Sequence, residues 1–270
     1  LDDSSEREQM LAAQRQATIL KVIVDQGAAR ISDLAEILGV SEMTVRRDLD
    51  LLADEGALEK VHGGATSLSP SATLEPPFLA TNLRELEAKK AIGKHAAKFV
   101  SPGSAVALLG GSTVFALAKE LTSVEGLTVV TNSVPISDLF QREKSAAQSI
   151  ILVGGSRTPT DSLVGPVAID TFSKFNFDLV VVGTHGMDAP SGFSSPNLLE
   201  AETNMSVVKH SNTFMVLADY SKWGLRGFAT FARLEEAEVV VSDSRLSISA
   251  QSELSSRVGT LVELAESDNN

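Results

Sequence analysis

A chain of 270 residues that is 43% hydrophobic and 21% charged has the make-up of a folded globular protein, which excludes a disordered or fibrous one; at roughly 150 residues per domain it holds about two domains. Cysteine is absent, so disulfides, thiolate metal sites and cysteine nucleophiles are excluded, and His62, His95, His185 and His210 show no metal-binding spacing. The 23 basic and 35 acidic residues leave a net charge of −12, which argues against a broad basic footprint for a polyanion.

No apolar run approaches the roughly 18 residues of a membrane span, and "LDDSSEREQM" lacks the basic-then-apolar layout of a secretory leader. A cytoplasmic location, with no membrane partner, is the expectation. Residues 5 to 26 place Ala13, Ala17, Leu20 and Val24 at spacings of four, three and four, predicting an amphipathic helix that ends near Gly27. A second helix follows from Ile31, Leu34, Ala35 and Leu38, with Ser32 and Asp33 at its entry and Gly39 breaking it. Ser41 then caps a third helix. Its buried stripe is Val45, Leu49 and Leu52, which leaves Met43, Thr44, Arg46 and Arg47 pointing outward near its N-terminus. After Gly56, "ALEKVHGGA" reads as a two-stranded wing with Gly63 and Gly64 at its tip.

This is the arrangement of a winged helix-turn-helix over residues 1–65. Ala35 lets two helices approach, Gly39 makes the turn, and Val45 fills the angle between them. Residues 1 to 64 carry seven basic and thirteen acidic side chains, a balance of −6, so any hold on DNA has to be local. Net charge is largely screened beyond about 8 Å at physiological salt. Arg30, Arg46, Arg47, Lys60 and the helix N-terminus at Ser41 can therefore form a small positive face. Arg47 is placed to reach a guanine edge or a phosphate. The competing reading for Arg46 is an ordinary ion pair with Glu42 or Asp50, each four residues away.

"TSLSPSATLEPPF" has neither helical nor strand period and is the expected linker, residues 66–80. From Thr81, "NLRELEAKKAIGKHAAKFV" predicts one helix leading into a domain over 81–270. There "SAVALL", "LTVVTN", "SIILVGG", "FDLVVVG", "TFMVLAD", "AEVVVSD" and "GTLVEL" alternate with helices, the pattern of a mostly parallel α/β sheet covered on both faces. Such sheets bind ligands beyond the carboxyl ends of their strands. Gly110, Gly111, Ser112 and Thr113 open a helix there as a phosphate cradle. Asn132, Gly154, Gly155, His185, Asp219 and Lys222 end other strands on the same edge. Their structural alternatives are a helix cap for Asn132, loop packing for His185 and a surface charge for Lys222.

"ISDLAEILGVSEMTVRRDLDLLADEGALEKVHGGA" resembles the signature of DeoR-type bacterial transcription regulators, in which a winged helix-turn-helix precedes a sugar-phosphate sensing domain. The resemblance implies that Thr44, Arg46 and Arg47 contact DNA, with Ser41 capping and His62 near the wing. The stretches "GGST", "TN", "GG" and "DYSK" look like that family's sensor, whose fold is similar to ribose-5-phosphate isomerase and glucosamine-6-phosphate deaminase. By the same resemblance Gly111, Ser112, Thr113 and Lys222 hold a sugar phosphate, with Glu202 and Asp219 nearby. Two positions depart from the family: Leu109 stands where an acid is usual, and Asn204 where a lysine is common.

The expectation is a DNA-binding repressor of carbohydrate genes, acting as a homo-oligomer on an operator with half-sites about 34 Å apart and released by a phosphorylated sugar. No cofactor and no catalytic residue is expected. The alternatives are the same regulator with an unphosphorylated effector, or an isomerase- or deaminase-like enzyme using Glu202, Asp219 and Lys222 as acid or base.

Overall fold

The computed structural model describes residues 3–68, 71–143, 147–259 and 261–265, and divides into two compact units. The first comprises the chain to Pro70 together with Glu75–Arg84; the second comprises Ser71–Leu74 and everything from Glu85 onward.

In the first unit α1 (Asp3–Gln26) is followed by β1 (Ala28–Arg30), α2 (Ile31–Leu38), α3 (Glu42–Asp54), β2 (Glu59–Val61), β3 (Gly64–Thr66) and α4 (Phe78–Leu83). Ile19, Leu20 and Ile23 of α1, Ile31 and Leu34 of α2, and Val45, Leu49 and Leu52 of α3 form one core. The stripe of α1 is thus shifted from the expected one: Leu20 is buried, but Ala13 is exposed and Ala17 and Val24 only half-buried, because the bulkier isoleucines turn inward. Entry to α2 also differs. Arg30 occupies the capping position and the Ser32 hydroxyl donates to Asp33 instead of capping the helix. Gly39 ends α2 in the left-handed region at φ 66°, where a side chain would be strained. The wing holds a third strand: β1, β3 and β2 pair antiparallel, with Arg30 and Val61 both opposite Gly64.

The expected linker and following helix are redrawn by packing. Residues 78–80 are already helical in α4, where Ala80 is buried and Leu83 packs against the first core. The single helix expected from Thr81 is broken at Glu85, which sits at φ 51° between α4 and α5 (Leu86–Ala96).

The second unit continues with β4 (Ala105–Leu108), α6 (Ser112–Leu121), β5 (Thr128–Thr131), α7 (Val134–Glu143), β6 (Ser149–Leu152), β7 (Ser156–Arg157), β8 (Leu163–Val164), α8 (Pro166–Phe172), β9 (Phe177–Gly183), β10 (Gly186–Asp188), β11 (Gly192–Ser195), α9 (Leu198–Val208), β12 (Ser211–Leu217), β13 (Ala229–Ala232), β14 (Val239–Asp243), α10 (Ile248–Arg257) and β15 (Leu261–Ala265). All seven expected strands assemble in the order β15-β14-β12-β9-β4-β5-β6, and every pairing is parallel. Alternation divides the sheet into two faces. Val106, Leu108, Val129 and Val181 pack with α5, α6 and α7, while Ala107, Leu109, Val130 and Val182 pack with α8, α9 and α10. Strand order reverses between β4 and β9, so the crevice of a doubly wound sheet opens beyond their carboxyl ends. A hairpin of β7 and β8 and a small antiparallel sheet of β10, β11 and β13 are added to this frame.

Candidate functional site

The first unit holds α3 as a rigid, capped rod. Thr44 N–H donates to Ser41 Oγ at 3.2 Å, and the hydroxyls of Ser41 and Thr44 lie 3.0 Å apart. On the buried side Arg15 of α1 makes a two-point contact with Asp48, its Nη2 at 3.0 Å from Oδ1, and Asp48 is 3% exposed. Hydrogen bonding to Asp48 raises the Arg15 pKa despite partial burial. This pair ties α1 to α3 on the face opposite the exposed Arg46 and Arg47.

On that exposed face Arg46 pairs with Glu42 at 3.3 Å, the competing reading of its role. Lys60 of β2 pairs with Asp50 of α3, which sets the wing beside the reading helix. Arg47 and Arg30 have no ion-pair partner among the described residues, and both are exposed. His62 is exposed in the turn between β2 and β3, and Met43 is 73% exposed on the first turn of α3.

In the second unit five of the expected effector residues meet at the crevice. Gly110 follows β4 and donates its N–H to Asn132 Oδ1 at 2.8 Å. Gly111, at φ 134°, precedes α6, and a Cβ there would stand 3.9 Å from the Gly183 Cα. Ser112 and Thr113 form the first turn of α6 and are 9% and 6% exposed. Asn132 is held from both sides: the Thr131 hydroxyl donates to the Leu108 carbonyl at 2.5 Å, and Leu163 N–H donates to the Asn132 carbonyl at 2.7 Å. The Asn132 Nδ2 and Ser162 Oγ atoms are buried without a hydrogen-bond partner among the described residues. A Cβ on Gly110 would stand 1.9 Å from Ser162 Oγ and 3.8 Å from Asn132 Oδ1, so these polar groups surround that glycine.

The two halves match two family models. A "DeoR-like helix-turn-helix domain" covers residues 15–71, and a "DeoR C terminal sensor domain" covers residues 84–244.

The chain belongs to the DeoR family.

Among relatives of this DeoR-family regulator, the HTH-type transcriptional regulator GlpR of Haloferax volcanii is 32% identical over 94% of this chain and 98% of its own length. The lactose phosphotransferase system repressor of Staphylococcus aureus is 32% identical over 83% of this chain and 89% of its own. Among solved structures, a D-ribose-5-phosphate isomerase in complex with phospho-erythronic acid aligns at TM-score 0.38 and 19% identity, over 51% of this chain and 54% of that one. The family is one of DNA-binding transcriptional regulators, not enzymes. Among the described residues no helix of this regulator is long and apolar enough to cross a membrane.

The remaining expected effector residues are spread more widely. Gly154 and Gly155 are exposed beyond β6, where a Cβ on Gly155 would stand 2.7 Å from the Val164 carbonyl oxygen, so β8 fills that space. His185 is half-buried and its N–H donates to the Ser194 carbonyl at 3.1 Å. Asp219 is fully buried after β12; its Oδ1 accepts from Ser221 N–H at 3.1 Å and from the Ser221 hydroxyl, while Oδ2 has no partner among the described residues. Lys222 ends the short 3-10 turn that Asp219 caps. Glu202 is exposed on α9, and no hydrogen bond or ion pair joins it to Asp219 or Lys222. Leu109 is fully buried in the core on the α8–α9 side of the sheet, and Asn204 is 4% exposed on α9.

Three groups escape a reading of the sequence. Ser162 lies in a hairpin with no period. Tyr220, Asp243, Arg245 and Glu85 form a cluster at the ends of β12 and β14: Arg245 donates to Asp243 Oδ1 at 2.9 Å and to Glu85 Oε2 at 2.6 Å, and lies 4.2 Å over the Tyr220 ring. Burial opposes the Arg245 charge, but the two carboxylates outweigh it and raise its pKa. Asp188 pairs with Arg226 at 2.7 Å; burial opposes its ionisation, yet Arg226 and Ser191 hold its carboxyl below the usual carboxylate range. Only the i, i+2 contact of Arg245 with Asp243 and the i, i+3 contact of Ser191 with Asp188 have any local trace in the sequence.

Proposed function

We propose that this regulator represses genes of carbohydrate metabolism, holding its operator through Thr44, Arg46 and Arg47 with Ser41 capping the reading helix, Arg30, Lys60 and His62 flanking it, and that a phosphorylated sugar releases it. DNA binding as such follows from the family. The effector assignment is carried by one observation: at the reversal of strand order, the Gly110–Gly111 turn delivers the N-terminus of the ten-residue α6 beside two buried polar atoms, Asn132 Nδ2 and Ser162 Oγ, that lack partners among the described residues. A helix N-terminus and close backbone approach favour an anion. Ser112 and Thr113 add hydroxyls, and Asp219 Oδ2 offers an acceptor for a sugar hydroxyl. The lactose phosphotransferase repressors among the relatives fit a carbohydrate role. Two protomers acting on paired half-sites give the affinity that one small cationic face lacks.

Release requires the effector to bind the operator-free state more tightly; a nearly complete shift needs about 5.5 kcal/mol of preference. A thermal-shift panel tests the crevice. At a hundred times its dissociation constant the effector adds about 2.7 kcal/mol, a rise in midpoint on the order of 5–10 °C for a unit of this size. Sugar phosphates are expected to produce that rise and neutral sugars none, and Thr113→Val is expected to abolish it. A rise with unphosphorylated compounds alone would overturn the phosphate assignment in favour of a less charged effector. That second reading is favoured by Leu109, whose side chain is turned into the core where the family places an acid, and by Asn204 in place of a lysine.

A further inference from the structure

We propose that Met43 determines part of the operator sequence by reading the methyl group of a thymine, about two base pairs from the base that Arg47 reads. This rests on the DNA-binding reading of the first unit and adds a specificity to it.

The outward line of α3 is fixed by its buried side. Val45, Asp48, Leu49 and Leu52 are its buried residues. With 3.6 residues per turn, the line diametrically opposite runs through Met43, Arg47, Asp50 and Asp54, at spacings of four, three and four. Met43 therefore lies at the centre of the outward face, on the first turn, and not on its flank. Helix-turn-helix readers present base edges to the N-terminal residues of this helix.

The polar residues near it along α3 are differently engaged. The Thr44 hydroxyl lies in the cap with Ser41, Arg46 pairs with Glu42, and Asp50 is drawn to Lys60. The side chains left at the middle of the outward face are thus an apolar thioether and the unpaired guanidinium of Arg47. At 73% exposure, Met43 is the most exposed large hydrophobic side chain of the first unit among the described residues, and it contributes nothing to that unit's core. In the major groove the one feature that an unbranched apolar side chain recognises is the C5-methyl of thymine, while a guanidinium matches guanine O6 and N7. Four residues of helix rise about 6 Å, against 3.4 Å per base step, which places the two contacts about two base pairs apart.

The test uses the full chain to select duplexes from a random pool. The expected selected half-site holds a thymine and a guanine about two steps apart. Each thymine is then replaced singly by deoxyuridine, which removes the methyl and leaves every hydrogen-bonding group in place. One replacement is expected to weaken wild-type binding about fourfold, equivalent to the ~0.8 kcal/mol of one buried methyl group. With Met43→Ala, the same replacement is expected to change affinity less than about 1.5-fold, while Met43→Leu keeps the sensitivity. Arg47→Ala is expected to lose the guanine preference yet keep the uridine effect. Alanine at an exposed helical site preserves the fold, which an unchanged thermal midpoint verifies. A selected site insensitive to every uridine replacement, or a Met43→Ala variant as sensitive as the wild type, overturns the inference and leaves DNA binding standing. A selection that enriches no duplex overturns both.

Discussion

Asp48 is a carboxylate on the inner line of the reading helix, and among the described residues its counter-charge comes from Arg15, 33 residues earlier. In the sequence, "RRDLDLL" shows two acids of equal standing; folding separates them, sending Asp50 outward to Lys60 and Asp48 inward to 3% exposure. The period places Asp48 on the line of Val45 and Leu52, but what makes its burial tolerable is not local, because the partner belongs to another helix. The outward arginines were legible, since the 3.6-residue period alone fixes their side of α3. Removing one partner of a buried pair leaves a charge uncompensated, at a cost of 3–5 kcal/mol, whereas replacing both by apolar groups is often neutral. Because the Arg15 side chain is 22% exposed, the lower end applies. Arg15→Met is expected to destabilise the first unit by about 3 kcal/mol, and the double variant Arg15→Met/Asp48→Leu to recover to within about 1 kcal/mol of the wild type, read as shifts of the denaturant midpoint. Equal losses in the single and double variants would deny the pair this role.

Elements were legible in proportion to the length and regularity of their apolar patterns. The central strands of the large sheet are buried on both faces, so each is a short unbroken apolar run between turn residues, and all seven strands are found where such runs were expected. The hairpin of β7 and β8 and the sheet of β10, β11 and β13 have strands of two to four residues, too short for a period to show. The break between α4 and α5 was equally invisible, because Glu85 is a good helix former held at φ 51° by the structure around it. In the proposed effector crevice Gly110 to Thr113 could be read from a strand leading into a helix; Ser162 could not, because its proximity to Gly110 depends on the hairpin. The wing offers a test at this scale. Gly64 lies in the middle strand of the three, and a Cβ there would stand 2.2 Å from the Ala29 carbonyl oxygen, a backbone atom that cannot swing away. Gly63, one residue earlier, is a turn residue at φ 81° with open space on its Cβ side. Gly64→Ala is therefore expected to cost about 3 kcal/mol or more of first-unit stability, and Gly63→Asn less than about 1 kcal/mol, since asparagine tolerates the left-handed region. Thermal denaturation of the two variants gives the ranking; the reverse order would show that β3 is not clamped by β1.

At the scale of the whole molecule, the net charge of −12 and a DNA-binding role are reconciled by how the first unit distributes its cations. Of the four basic residues assigned to its DNA face, Arg46 and Lys60 already neutralise Glu42 and Asp50. Each of those ion pairs is electrically neutral as it meets a phosphate, so it displaces few condensed counterions unless the carboxylate swings away. Among the described residues Arg30 and Arg47 remain as unpaired charges; with Arg47 on a guanine edge, Arg30 is the one left for a phosphate, one per protomer and two for a pair of protomers on two half-sites. Binding constants fall with salt at about −0.9 per phosphate neutralised, which gives a logarithmic slope of about −2 for that pair. If Arg46 and Lys60 instead abandoned their carboxylates for phosphates, about six phosphates would be engaged and the slope would reach about −5. Titrating a selected duplex at several salt concentrations separates the two cases, and Arg30→Ala is expected to make the slope shallower by about 1 for each protomer bound. A slope of about −5 or steeper would mean that Glu42 and Asp50 release their partners on binding, and that the acidity of this unit is no restraint on its grip.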